Sequence, residues 1–230
     1  MKEGTGFLKV DTDPKTICAL EPLSISTHVV TQYQFRPGET AVIQGAGAIG
    51  MLTCMVAKAT GATKVIVVGA PRSRLDLAKR FGADVTINIE EAKTAEERLA
   101  LIQRETTGGF GADVVCECTG VPAAIPEGID ILRRGGTYIV AGHFTDAGSV
   151  SVNPFTHLNR KNITLKGVWS SEKTHFVRAR SIVESGRYPM SEVISHVLPL
   201  SRLGDAIQAM SGGYRLDGEE IRKIGIASAL

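Results

Sequence analysis

The feature that most constrains this chain is Gly45-Ala46-Gly47-Ala48-Ile49-Gly50, a G-x-G-x-x-G run set between a β-branched stretch at 40–44 and an apolar helical stretch at 49–59. The glycine spacing alone is weak. Its weight comes from following a strand and opening a helix inside a strand–helix–strand unit of the right length. Gly45 permits the tight turn, Gly47 lets the backbone approach a pyrophosphate, and Gly50 lets the helix lie close on the sheet. The first helical turn, with Ala48 and Ile49, then offers free N–H groups at the positive end of the helix dipole. Residues 40–142 therefore read as a dinucleotide-binding unit, in preference to a bare turn between strand and helix.

The rest of the pattern agrees. Further strands are expected at 64–68, 85–89, 112–116, 137–141 and 163–168, and helices at 73–81 and 123–132. Gly82 is placed to cap the 73–81 helix in a left-handed conformation. Thr94 and Glu97 match a capping box that opens another helix, ending before Gly108-Gly109. Strands alternating with helices predict an α/β, doubly wound, parallel six-stranded Rossmann sheet covered on both faces. Residues 170–230 differ, with a helix at 173–184, a strand at 196–198, a helix from Ser201 and a last strand at 221–227. The first 35 residues are irregular. Both ends read as the remnant of a second domain.

An acidic residue about 20 positions after the glycines binds the ribose 2′-hydroxyl of NAD in such units. Here the second strand ends at Val68 and Gly69 follows, with Arg72 and Arg74 close behind. A missing carboxylate beside two guanidinium groups suits the 2′-phosphate of NADP, so the pattern leans to NADP over NAD. The alternative is that the two arginines only begin a surface helix.

Net charge is +2, from 26 basic and 24 acidic residues in no long block, so neither nucleic acid nor a membrane is indicated as a partner. Four scattered cysteines, and an N-terminus with no apolar signal core, predict a reduced, cytoplasmic setting.

Several segments together resemble the medium-chain dehydrogenase/reductase superfamily, in its zinc-containing alcohol dehydrogenase branch. They are Ala19 to Ser24, Arg36-Pro37-Gly38-Glu39-Thr40, Gly45 to Gly50, Arg74 to Ala78 with Phe81 to Asp84, Gly111 to Val115, and Leu132 to Gly136. The resemblance implies a cofactor domain at 36–169, flanked by the end of a catalytic domain at 1–35 and its return at 170–230. The chain so read is the back half of a dehydrogenase.

Residue by residue, the resemblance places Glu21 beside the catalytic zinc, as a ligand or a partner of its bound water. The family's other zinc ligands have no counterpart here, and Glu21 with Cys18 falls short of the three or so protein ligands that a catalytic zinc takes. Cys118-Thr119-Gly120 would face the adenosine side and the nicotinamide ribose, and Gly142 and His143 would approach the nicotinamide. Arg74 would sit near the adenosine ribose; Arg222 would reach the pyrophosphate or stand as a solvated surface charge. His143 and His28 are read as packing or hydrogen-bonding residues, not catalysts.

The implied activity is hydride transfer between a small alcohol or carbonyl substrate and a nicotinamide dinucleotide, with zinc in the complete enzyme. This chain alone is expected to hold the dinucleotide and turn over little substrate. Two alternatives stand: a zinc-free enone or quinone reductase, against which Glu21 argues, and a non-catalytic dinucleotide-binding module. The resemblance also implies a homodimer or higher assembly joined through the edge strand at 163–168.

Overall fold

The structure, a computed structural model, describes residues 8–227. It divides into two compact units: residues 25–171 form one, and residues up to 24 together with those from 172 onward form the other. The division falls at 24/25 and 171/172, where borders at 35/36 and 169/170 were expected.

The first unit holds β1 (Thr40–Gln44), α3 (Ala48–Ala59), β2 (Lys64–Gly69), α4 (Arg72–Arg80), β3 (Val85–Asn88), α5 (Ala95–Glu105), β4 (Ala112–Glu117), α6 (Ala124–Ile131), β5 (Leu132–Val140) and β6 (Thr164–Gly167). The strands are parallel, in the order β3-β2-β1-β4-β5-β6, which is the expected doubly wound sheet. All five residues of β1 are buried, and so is β2 beyond Lys64, as strands covered on both faces must be. Residues 50–57 of α3 are buried in turn, matching its all-round apolar sequence. Burying large side chains such as Ile43, Ile66, Ile102 and Tyr138 stabilises this unit by about 1.5–3 kcal/mol each.

Local signals set the element ends. Glu97 N–H donates to Thr94 Oγ1 at 3.1 Å and Thr94 N–H to Glu97 Oε2 at 3.0 Å, closing the capping box that opens α5. Gly82, at φ +102°, turns the chain after α4. Two expectations need correcting. Residues 8–35 are not irregular throughout: α1 (Pro14–Ile17) and α2 (Leu20–Thr31) lie there, and His28 falls on a helix as expected. The later part of α2 belongs to the sheet unit, where Ser26 Oγ donates to Ile49 O at 3.2 Å and Val29 is fully buried. The second correction is that β5 starts at Leu132, not at 137. Leu132 already pairs with Ala112 before the register shifts.

At the N-terminal end of the sheet, charges close on each other. Asp113 accepts from Thr40 N–H at 2.7 Å and from Arg133 Nε at 2.5 Å. Arg133 also stands 4.0 Å from Glu39 Oε1, and Glu39 accepts from Tyr33 Oη at 2.9 Å and Arg36 N–H at 2.7 Å.

In the second unit, α1 is capped by Asp13, which accepts from Thr16 N–H at 2.9 Å. It continues with α7 (Lys173–Glu184), β7 (His196–Pro199), α8 (Leu203–Ser211), β8 (Arg215–Leu216), β9 (Glu219–Glu220) and β10 (Ile224–Ala227). β7 and β10 pair in parallel around a small core of Leu198, Ala206, Leu216 and Ile221. The β8–β9 hairpin was not expected, although Asp217-Gly218 at its turn is a hairpin signal; both residues have positive φ.

Candidate functional site

The sheet order reverses between β1 and β4, so the chain leaves these neighbouring strands toward opposite faces and a crevice opens at their C-terminal ends. The glycine loop after β1 lies there. Gly45 has φ +106°, and a Cβ on it would stand 2.9 Å from Cys118 O, at the end of β4. A Cβ on Gly50 would fall on the carbonyl oxygen of Gly45. The turn is therefore folded tightly between the two strand ends, and only glycine fits at either position. Over Gly47 the space is open, with nothing within 4 Å of a Cβ placed there. Gly47 is the N-cap of α3 and no side chain caps the helix, so the first turn, with Ala48 and Ile49, keeps its N–H groups for something else. Open space over an uncapped helix N-terminus is a fit for a pyrophosphate.

Gly69 ends β2 beside this loop. A Cβ on it would come within 2.8 Å of both the N and the Cβ of Ala46. Its bareness is thus a packing requirement as well as the loss of a carboxylate. Arg72 opens α4 and is ion-paired with Glu91, which also accepts from Asn88 Nδ2 at 3.3 Å. Arg74 sits on the same first turn, half-buried. Glu91 was not singled out from the sequence.

On the other side of the crevice, Cys118, Thr119 and Gly120 follow β4, and Gly142 and His143 follow β5. Burial pushes the Cys118 thiol well above its ordinary pKa, so at neutral pH it is a thiol and no nucleophile. These two loops touch through backbone: a Cβ on Gly120 would lie 2.7 Å from Gly142 O. Between them is Glu117, fully buried at the end of β4. Sequence reasoning missed it; the available signal was a lone carboxylate ending an apolar strand and followed by Thr-Gly. His143 Nε2 stands 3.7 Å from Glu117 Oε2, buried and with no hydrogen-bond partner. Beneath α6, Tyr138 Oη donates to Gln44 Oε1 at 2.9 Å and Gln44 Nε2 to Ala124 O at 3.0 Å, which ties the helix start to β1 and β5.

The thirteen cofactor-binding candidates of the sheet unit thus lie at the C-terminal ends of β1, β2, β4 and β5, counted from Gly45, Gly47, Ala48, Ile49, Gly50, Gly69, Arg72, Arg74, Cys118, Thr119, Gly120, Gly142 and His143. Arg222 and Glu21 belong to the other unit. There Arg222 Nε donates to Glu192 O at 3.1 Å. Glu21 is exposed on α2, and Cys18 Sγ donates to Pro14 O at 3.4 Å. Among the described residues no three His, Cys, Asp or Glu side chains come together, so the donors present do not make a zinc site.

Residues 48–185 match the family model described as zinc-binding dehydrogenase. Among curated proteins, the chain is 34% identical over 194 residues to D-xylulose reductase A of Aspergillus niger, a match covering 84% of this chain and 53% of that one. Among solved structures it is similar to an alcohol dehydrogenase from Thermotoga maritima, with TM-score 0.82 and 36% identity over 89% of this chain and 56% of that one. It is also similar to a protein assigned as a zinc-binding dehydrogenase from Sinorhizobium meliloti 1021, bound to NADP, with TM-score 0.81 and 26% identity over 95% of this chain and 61% of that one. The chain spans about half the length of the curated relatives it matches.

Proposed function

This chain belongs to the zinc-binding dehydrogenase family, and from that premise we propose that its sheet unit holds the nicotinamide dinucleotide of an alcohol or carbonyl oxidoreductase. The observation that carries the proposal is the open, uncapped start of α3 over a glycine turn wedged between the ends of β1 and β4. The first turn of α3 binds the pyrophosphate, with Gly47 giving it room. Thr119, Gly120, Gly142 and His143 line the nicotinamide half. Arg74 and Arg72 face the adenosine ribose, and with no carboxylate possible at Gly69 the reading leans to NADP. The NADP held by the Sinorhizobium relative supports that lean.

When bound, the nicotinamide accepts or gives the hydride. The residues of this chain bind it, fix its orientation and exclude water from one side. The names of the relatives, a xylulose reductase and an alcohol dehydrogenase, support a small alcohol or carbonyl as the substrate of the complete enzyme. Zinc belongs to that complete enzyme and not to the donors described here, so no step is assigned to Glu21 or Cys18. The exposed edge strand β6, with Leu165 in the open and Trp169 exposed just beyond its end, is proposed as the surface joining two copies. The four cysteines, all free thiols, suit a reducing cytoplasm.

The test is a fluorescence titration of the chain with NADPH and NADH. Binding of at least one in the micromolar range, with NADPH the tighter, is expected. Failure of both to bind at millimolar concentration would overturn the proposal, and a clear preference for NADH would overturn the NADP lean.

A further inference from the structure

Glu117 has no part in the reading above, yet it is the most deeply buried carboxylate of the sheet unit, with no exposure to solvent. Its Oε1 accepts from Thr119 N–H at 2.5 Å, from Thr119 Oγ1 at 2.6 Å and from Gly120 N–H at 2.8 Å. Its Oε2 accepts from Gly142 N–H at 3.0 Å. Every one of these partners donates, and three are backbone groups. One oxygen serves the loop after β4, and the other serves the loop after β5.

The packing leaves no slack around this arrangement. A Cβ on Gly142 would stand 2.7 and 2.8 Å from the two carboxylate oxygens and would fall on Gly120 N. The two loops therefore meet backbone to backbone, with the carboxylate as the pin between them. A glutamine cannot replace it in kind. It has one acceptor oxygen, and its NH2 group would confront an N–H donor where Oε2 now accepts. A buried carboxylate is a poor device for stability, since well-packed apolar residues of similar volume do as well or better. Its yield is geometric: a satisfied buried polar network gives one defined arrangement of the groups it joins.

We propose that Glu117 is a positioning residue for the nicotinamide half of the dinucleotide. It holds Thr119-Gly120 and Gly142-His143 in one fixed relation and touches neither the cofactor nor the substrate. This rests on the dinucleotide reading given above. The consequence is selective: in that reading the pyrophosphate contacts lie on the loop after β1 and the arginines of the adenosine ribose after β2, so losing the pin loosens chiefly the nicotinamide end.

The experiment uses the full chain and two ligands: the dinucleotide that it binds (NADP or NAD) and the matching ADP-ribose derivative that lacks nicotinamide. In Glu117→Gln, affinity for the nicotinamide-free ligand is expected to stay within about twofold, while affinity for the dinucleotide falls about tenfold. Parallel losses for both ligands, or no loss for either, would overturn the proposal while leaving the dinucleotide reading intact. If the unaltered chain binds neither ligand, the reading itself fails and the proposal goes with it. Where circular dichroism shows that Glu117→Gln does not fold, Glu117→Asp takes its place. It keeps both acceptor oxygens but withdraws them by one methylene, so the same selective loss supports the proposal, and a parallel or absent loss overturns it.

Discussion

The two ends of the same sheet bury carboxylates in opposite ways. At the N-terminal end, Asp113 and Glu39 face Arg133, and the cluster is filled out by Thr40 N–H, Arg36 N–H and the hydroxyl of Tyr33. Acidic and basic charge meet there, and the result is a bolt across β1, β4 and β5. At the C-terminal end, Glu117 is held by N–H and O–H donors, with His143 beyond hydrogen-bond range. Backbone there is left open over Gly47 and packed to contact elsewhere. The bolt fixes three strands to one another. The C-terminal end places loops where a ligand has to lie, and does so with backbone geometry that tolerates no side chain.

The comparison can be broken most sharply at Gly50. Alanine there would drive its Cβ into the carbonyl of Gly45, so Gly50→Ala is expected to cost about 3 kcal/mol of stability and to abolish dinucleotide binding. Denaturant unfolding and a binding titration read both effects; retention of either would show that the turn can relax. At the other end, Arg133→Ala leaves Asp113 and Glu39 without their cation. With Arg133 about a third exposed, a loss of about 2 kcal/mol is expected, below that of a fully buried pair. Dinucleotide affinity should not move. If it falls along with stability, the two ends are not independent.

Smaller effects sharpen the picture. Glu91→Gln releases Arg72 from an exposed ion pair, and NADP is expected to bind about two- to fivefold tighter with NAD unchanged. An equal change for both would remove Arg72 and Glu91 from the specificity reading. The smallest effect concerns Tyr33, whose hydroxyl is pushed up to about 12 by burial and by its bond to Glu39. Its folded value lies above the ordinary 10.0, so its contribution is complete below pH 10 and declines as pH rises toward about 12. Tyr33→Phe should flatten that alkaline decline in stability. An unchanged slope would mean that other groups govern it.

The alternation of strands and helices, the capping box at Thr94 and the close fit of Gly50 on Gly45 were all legible in the chain, because each depends on residues close in sequence. The full extent of α2 and the early start of β5 were not. Both are stabilised from a distance, through Ser26 on Ile49 and Leu132 on Ala112. Gly69 was read for the side chain it lacks; its contact with Ala46 adds a reason that no local pattern contains.

By itself, then, the sequence determined a doubly wound parallel sheet and a phosphate-sized glycine turn on it, since periodicity and glycine spacing are written over a few neighbouring residues. The tertiary structure alone decided where the carboxylates went. Glu117 meets Gly142 25 residues away and Asp113 meets Thr40 73 residues away, and only the folded sheet sets one among bare backbone donors and the other beside an arginine.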